Sequence, residues 1–390
     1  MYKRQIHGWY FNNLGFDSND VSEGSGHGTS VAGLVAAQAN NGASRPAVGV
    51  SWGSLIMPIK IDMTVGDQAI TGAAELASAL QYATDNGASV VNMSWHATED
   101  FTVLHNAITD AYNQHVVLVA AGGNDSESQL RWPARYTEVM AVGMLMRTQV
   151  DEQWFLRWHP FSHKENKENF VAAPGHLICS TFIRGQGDGC SNATSDYDQA
   201  TGTSLAAPLV AGTAALVLSE AHERARSLSA ADVYDILKFS ADYLADPIGD
   251  GHDHTLAGTD PPRNIYVGYG NVNANAAVGA LVPPTVFLTN PIAGATVSGI
   301  QDVTALAYDP NPITHVDFYV DSYLVGTDTV APWQVSWDTA GYADGSSHSV
   351  EARAFDTFSG FPFVDPGFQT ISVIVDNRPP GPSQLAVTAN

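Results

Sequence analysis

An α/β domain with a parallel sheet flanked by helices, followed by an all-β sandwich, is the architecture this sequence predicts. Three observations carry the prediction. From residue 27 to residue 280, near-continuous apolar strand patterns alternate with helical ones, as in a parallel sheet covered on both faces. After Pro283-Pro284 no helical pattern follows, and seven short strand patterns crowd into fewer than 100 residues. In that region Val316, Phe318 and Val320 alternate with Asp317 and Tyr319, the period of a half-buried strand.

Taken in order, Val31, Leu34 and Val35 open a helix that stops at Asn40-Asn41-Gly42, a C-terminal glycine signal. Leu55 to Ile61 reads as a strand in which Pro58 needs accommodation. Apolar residues at Ile70, Ala73, Ala74, Ala77, Leu80 and Ala83 predict a helix ending at Asn86-Gly87, and strand Ala88–Met93 follows at once. A helix over 103–114 leads into strand Val116–Ala121, and Val139–Val142 is a further short strand. Leu205 to Leu218 predicts a buried helix, too short and too interrupted by Pro208 and Gly212 to span a bilayer. The sandwich strands are Val286–Leu288, Val303–Ala307, Val316–Val320, Tyr323–Val325, Val335–Trp337, Ser349–Phe355 and Thr370–Val375. The expected domains are residues 1–282 and 283–377, with 378–390 a linker and the opening of another module.

Of 390 residues, 17 are Lys or Arg and 40 are Asp or Glu, a net charge of −23. Both regions share the excess, with −9 from residue 281 onward and −14 before it. Such a surface repels phosphate backbones, which excludes a nucleic-acid binder and disfavours anionic membranes. It suits a secreted, extracellular protein, although the residues after Met1-Tyr2-Lys3-Arg4 lack the apolar run of a signal peptide. Cys179 and Cys190 lie in one Gly/Ser/Asn-rich segment, where a local disulfide competes with two separate thiols.

Three segments fit one nucleophilic apparatus. Gly26-His27-Gly28-Thr29 opens a helix, so His27 projects from its first turn between glycines that let a substrate backbone approach. Gly202-Thr203-Ser204 places a serine where a helix start leaves backbone N–H groups unpaired and suited to an oxyanion. Gly122-Gly123-Asn124 sets an amide just beyond a strand end, as a second donor.

These segments resemble the subtilisin-like serine proteases. Residues 26–33 are similar to that family's histidine motif, 202–208 to its serine motif and 120–124 to its oxyanion segment, with Gly122 where alanine is usual. Val91 to Ser94 resembles the strand that pairs with the substrate backbone, and residues 171–175 and 268–274 match two further stretches. The resemblance implies a serine endopeptidase acting on proteins or peptides, with His27, Ser204 and Asn124 catalytic. It implies Ser94, Trp95, His96, Gly122 and Gly123 at the substrate, no cofactor for the chemistry, no metal among the site residues, and a monomer. Asp246 to His254 reads as a solvated acidic loop, with structural calcium, common among relatives, as the alternative that its oxygen ligands allow. The second domain resembles bacterial immunoglobulin-like repeats, in which Trp333 and Trp337 serve either the core or a binding patch.

Two departures stand out. The family's Asp lies at the end of an apolar strand upstream of the histidine, and only 26 residues precede His27. Asp17 and Asp20 lack such a strand before them, so the triad Asp is expected to be missing and the chain to be an excerpt of a longer protein. Trp95-His96-Ala97 replaces a glycine-rich stretch, which either narrows the cleft or packs Trp95 beneath the loop. The rival to an endopeptidase is an inert relative whose sandwich serves adhesion or binding.

Overall fold

The computed structural model describes residues 8–11, 24–40, 47–61, 72–190, 196–259, 261–359 and 366–378. The chain divides into two compact units, Met1–Val278 and Gly279–Asn390.

In the first unit, β1 (Trp9–Phe11), α1 (His27–Ala36), β2 (Ile59–Ile61), α2 (Ala73–Asp85), β3 (Val90–Met93), α3 (Thr102–Asn113) and β4 (Val117–Ala121) follow the predicted alternation. Then come β5 (Met140–Val150), β6 (Gln153–Trp158), β7 (Phe170–Pro174), β8 (Ile178–Thr181), β9 (Tyr197–Ala200), α4 (Thr203–Glu223), α5 (Ala230–Phe239) and α6 (Ala274–Gly279). Strands β3, β4, β5 and β7 form a parallel sheet, with β4 wholly buried between its neighbours. The core gathers Leu76, Leu80, Leu104, Ile108, Leu118 and Phe170, from helices α2 and α3 and from the strands β4 and β7.

β1 pairs in parallel with β2, a two-stranded ribbon that among the described residues forms a sheet separate from the main one. Among the described residues β2 hydrogen-bonds only to β1, and β3 only to β4. Ile61 of β2 and Val91 of β3 nonetheless pack on the same core.

Helix α4 is the one element among the described residues long and apolar enough to cross a membrane by length and composition. Leu205, Ala206, Ala207, Val210, Ala211 and Ala214 are instead buried, and the helix packs on β3, β4, β5 and β7. Small residues let neighbours approach the helix closely; a β-carbon on Gly212 would lie 2.8 Å from Val50, in the turn that follows α1.

Local differences from the prediction have physical causes. The strand expected from Leu55 shrinks to Ile59–Ile61, because Pro58 has no N–H and serves only as acceptor for Trp9 N–H at 3.1 Å. The strand expected to end at Val142 runs on to Val150, since β6 folds back along its second half. Helix α5 begins at a reciprocal cap in which the Ser229 side chain accepts from Asp232 N–H and the Asp232 carboxylate accepts from Ser229 N–H. Its Tyr234 hydroxyl accepts from Leu118 N–H at 3.0 Å, on the stretch of β4 before β5 begins to pair.

The second unit has strands β10 (Thr285–Asn290), β11 (Thr296–Val297), β12 (Ile300–Tyr308), β13 (Ile313–Val320), β14 (Tyr323–Asp328), β15 (Trp333–Asp338), β16 (Ser346–Asp356) and β17 (Gly367–Val375). They form two sheets, β10-β12-β15 and β11-β17-β16-β13-β14. The seven predicted strands are present, and the two-residue β11 is added by parallel pairing with β17. Val303, Val316, Phe318, Val350 and Val373 fill the interior, as their alternation requires. Trp333 and Trp337 join them, 8% and 2% exposed, so neither ring offers a binding platform.

Candidate active site

Parallel strands deliver their C-terminal ends to one edge of the sheet, where ligand sites of such sheets gather. Met93 of β3 lies opposite Ala120 of β4, so Ser94 and the Gly122-Gly123-Asn124 segment emerge side by side. The N-terminus of α4 meets both. Ser94 Oγ donates to the Ser204 carbonyl at 2.8 Å and accepts from Asn92 Nδ2 at 2.8 Å. Pro208 explains why that carbonyl is available: four residues on, it has no N–H to give in the helix.

Asn124 is held by its oxygen. Thr203 N–H donates to Oδ1 at 2.8 Å and Thr203 Oγ1 donates to it at 3.0 Å. A backbone N–H can only donate, so the oxygen must face Thr203 and the Nδ2 donor points away. Thr203 is fully buried, and its Oγ1 also accepts from Gly123 N–H at 3.2 Å. A β-carbon on Gly202 would stand 3.2 Å from Ser204 Oγ and 3.4 Å from Asn124 Nδ2. The serine hydroxyl and the amide donor therefore converge on one small space that glycine keeps open. Ser204 is the second residue of α4, so its N–H belongs to the helix-start donors without an intrahelical acceptor. Two donors beside a nucleophilic hydroxyl can stabilise an oxyanion.

His27 is exposed at the first position of α1. The helix is tied to β8 by three bonds: Ser30 Oγ to Thr181 O at 3.1 Å, Ser180 Oγ to Ser30 O at 2.7 Å, and Thr181 Oγ1 to Thr29 O at 3.0 Å. Gly26 turns into the helix at φ 76°, with its α-carbon against the Phe182 ring, where a β-carbon would lie 2.2 Å away. β8 pairs with β9, and β9 runs directly into Gly202–Ser204, whose approach is fixed by Gly202 N–H on Gly175 O at 2.9 Å. One ribbon thus connects the histidine helix to the serine turn. The Cys179–Cys190 disulfide closes the loop at that ribbon, settling the question the spacing left open. Replacing both cysteines by serine should cost about 2–3 kcal/mol of stability, for a loop of this short length, in a urea titration of the oxidised chain. An unchanged midpoint would show that β8 holds its place without the bridge.

The predicted substrate residues divide. Gly122 and Gly123 are buried, with Leu130 packed over the first and His163 under the second. Trp95 is partly buried and packs on the sheet core, the second of its two predicted fates. His96 is half-buried; burial lowers its imidazole below the ordinary range, Asp125 pulls it back up, and Arg131 lowers it further. The strand's onward path closes at Ala97, whose N–H donates to Trp132 O at 2.7 Å. Asp17 and Asp20 lie outside the described residues. Thr203, Ser180, Thr181 and His163 were not legible from sequence; only the hydroxyl of Thr203, adjacent to the serine, was a usable signal.

The loop proposed for calcium brings ligand atoms of Asp246, Asp250 and His254 within 4.8 Å of one another. Asp246 already accepts from the N–H groups of Gly249, Asp250 and Gly251 at 2.7, 3.1 and 3.2 Å, and Arg157 stands 3.5 Å from its second oxygen. A carboxylate satisfied in this way, beside an imidazole, does not fit calcium's preference for six to eight oxygens.

A parallel-sheet α/β domain with a serine at a helix start, beside an amide donor, is the class that the fold and the site define. Residues 7–270 match the sequence model of the subtilase family, and residues 284–352 match that of a bacterial Ig domain. The chain belongs to the subtilase family, and by that membership it is a serine endopeptidase. It is 31% identical over 268 residues to subtilisin DY of Bacillus licheniformis, covering 66% of this chain and 78% of that protein. It is 32% identical over 273 residues to the cell wall-associated protease of Bacillus subtilis (strain 168), covering 67% of this chain and 27% of that protein. The structure of an S41 psychrophilic protease superposes with a TM-score of 0.57 at 23% identity, covering 70% of this chain and 85% of that one, a likeness of fold.

Proposed function

We propose that the chain hydrolyses peptide bonds in extracellular proteins or peptides through an acyl-enzyme on Ser204, acting as a monomer. Ser204 Oγ attacks the carbonyl while His27 takes its proton, and His27 then returns that proton to the leaving amine. Asn124 Nδ2 and the Ser204 N–H receive the developing oxyanion. Ser94 and His96, beyond the end of β3, flank the substrate backbone, while Gly122-Gly123 and Trp95 support the site from beneath. The observation that carries the reading is the Asn124 amide, turned by Thr203 so that its donor shares one space with Ser204 Oγ. The acidic surface and the kinship to a cell wall-associated protease support an extracellular place of action.

The carboxylate that orients His27 comes from a strand between β2 and β3. Among the described residues β2 pairs only with β1 and β3 only with β4, around a shared core, and this supports the reading. In subtilisin itself, loss of the triad Asp costs about 3 × 10⁴ in kcat, which sets the expected scale. A fluorophosphonate tests both points. Ser204 should be labelled stoichiometrically and Ser204→Ala not at all. Joining an upstream apolar strand ending in Asp-Thr-Gly should speed labelling by orders of magnitude over the same strand ending in Asn-Thr-Gly. No labelling of either joined chain would leave the domain inert and favour a binding role; equal rates would remove the strand from the mechanism.

A further inference from the structure

We infer that His163, from the loop after β6, is a positioning residue that holds the Gly123-Asn124-Asp125 segment and makes the oxyanion site sensitive to acid. The inference rests on the proposed role of Asn124. The geometry surrounds that residue on both sides. His163 N–H donates to Gly123 O at 3.2 Å, and Asp125 N–H donates to His163 Nε2 at 2.9 Å, so the residues before and after Asn124 are both bonded to one histidine. The Gly123 α-carbon lies against the ring: at φ 122° a β-carbon would stand 2.6 Å from Nδ1, so the contact admits only glycine.

The tautomer follows from the partners. Asp125 N–H can only donate, so Nε2 must be unprotonated; Gln129 O can only accept, 2.7 Å from Nδ1, so Nδ1 carries the hydrogen. The ring is fully buried. No other protonation state satisfies both contacts. The charged groups facing it are Asp125, Glu127 and Arg131; Arg131 pairs with both carboxylates, at 3.3 and 2.7 Å. The Asp125 carboxylate stands 3.8 Å from Nε2.

Protonation therefore does two things at once. It removes the acceptor for Asp125 N–H, and it creates an Nε2–H donor beside the Asp125 carboxylate, which then competes for the loop's own side chain. Burial, the largest influence, holds the imidazole below its ordinary range, so the neutral form that suits the loop prevails at neutral pH. The sign is that of a depressed group: its contribution is complete above the unfolded value near about 6.5 and is lost as pH falls through the folded one.

The test uses the whole chain and two variants, His163→Ala and His163→Asn; the second keeps a donor and an acceptor but does not titrate. Nitrogen-15 spectra of the histidines at pH 8 should show His163 with Nδ1 protonated and Nε2 free. Amide exchange over residues 122–130, corrected for the intrinsic pH dependence, should lose protection as His163 protonates. His163→Asn should retain protection at every pH, and His163→Ala at none. For turnover, His163→Ala should lower kcat about 10²-fold, the cost of a displacement of roughly 1 Å, with KM nearly unchanged, and His163→Asn should restore most of it. Protection that ignores the ionisation of His163, or an Nε2–H tautomer, would overturn the inference. Those two readouts need no catalysis, so a wild-type chain that fails to react with fluorophosphonate counts against the proposed function alone.

Discussion

Gly202→Ala should abolish most turnover while leaving the fold intact. The new methyl would stand 3.2 Å from Ser204 Oγ and 3.4 Å from Asn124 Nδ2, in the space where the oxyanion would form. Alanine adopts the extended backbone found there (φ 160°, ψ 158°), so the cost falls on the site and not on the chain path. The expected loss in kcat is about 10²–10³, the magnitude established in subtilisin for removing its oxyanion asparagine. KM should move far less, because the excluded atom is present as an anion only in the transition state. Asn124→Ala should cost a similar factor. The double variant should be little worse than either single one, since both remove the same interaction. Additive losses in that cycle would mean that Gly202 matters for another reason. Full activity of Gly202→Ala would place the oxyanion elsewhere.

The second large effect concerns Gly33, six residues along α1 from His27. A β-carbon there would lie 2.1 Å from Thr181 Oγ1 and 2.6 Å from Ser180 Oγ, two of the three hydroxyls that tie α1 to β8. Gly33→Ala must therefore break those bonds or push the helix away, and His27 rides on its first residue. The expected cost is about 2–3 kcal/mol in a urea titration, the upper part of the overpacking range. Fluorophosphonate labelling of Ser204 should slow as well. Gly24→Ala is the matched control, with nothing among the described residues within 4 Å of its β-carbon, and should change neither quantity. Equal midpoints for the two variants would show that the α1–β8 contact yields without cost.

Much of this arrangement was legible because it depends on neighbours in sequence. The histidine and serine motifs lie at helix starts, and helix starts announce themselves by glycine and by the onset of apolar periodicity. Strands β3 and β4 read as apolar runs because both of their faces meet helices. The hairpin half of β5 and the ribbon β8-β9 did not: Thr148, Gln149, Asp198 and Gln199 carry no apolar alternation, and pairing with a distant partner makes them strands. Helix α5 is marked locally by its Ser229 and Asp232 cap, whereas the strands its apolar face covers, β4 and β7, are set only by the tertiary packing.

The sequence by itself determined the class and the order of the segments and singled out Ser204, His27 and Asn124 as candidates, because each is marked by residues within a few positions of it. What faces what was decided only by the tertiary structure. Thr203 turns the Asn124 amide across 79 positions, Ser94 caps the carbonyl that Pro208 frees across 110, and His163 holds the oxyanion loop across 38. Trp95 went to the core although its neighbours in sequence suited it equally to the cleft. These are hydrogen bonds and contacts between groups far apart along the chain, and their geometry exists only once the sheet has brought its strand ends together. Local patterns encode propensity, but a donor finds its acceptor only through the packing of the whole.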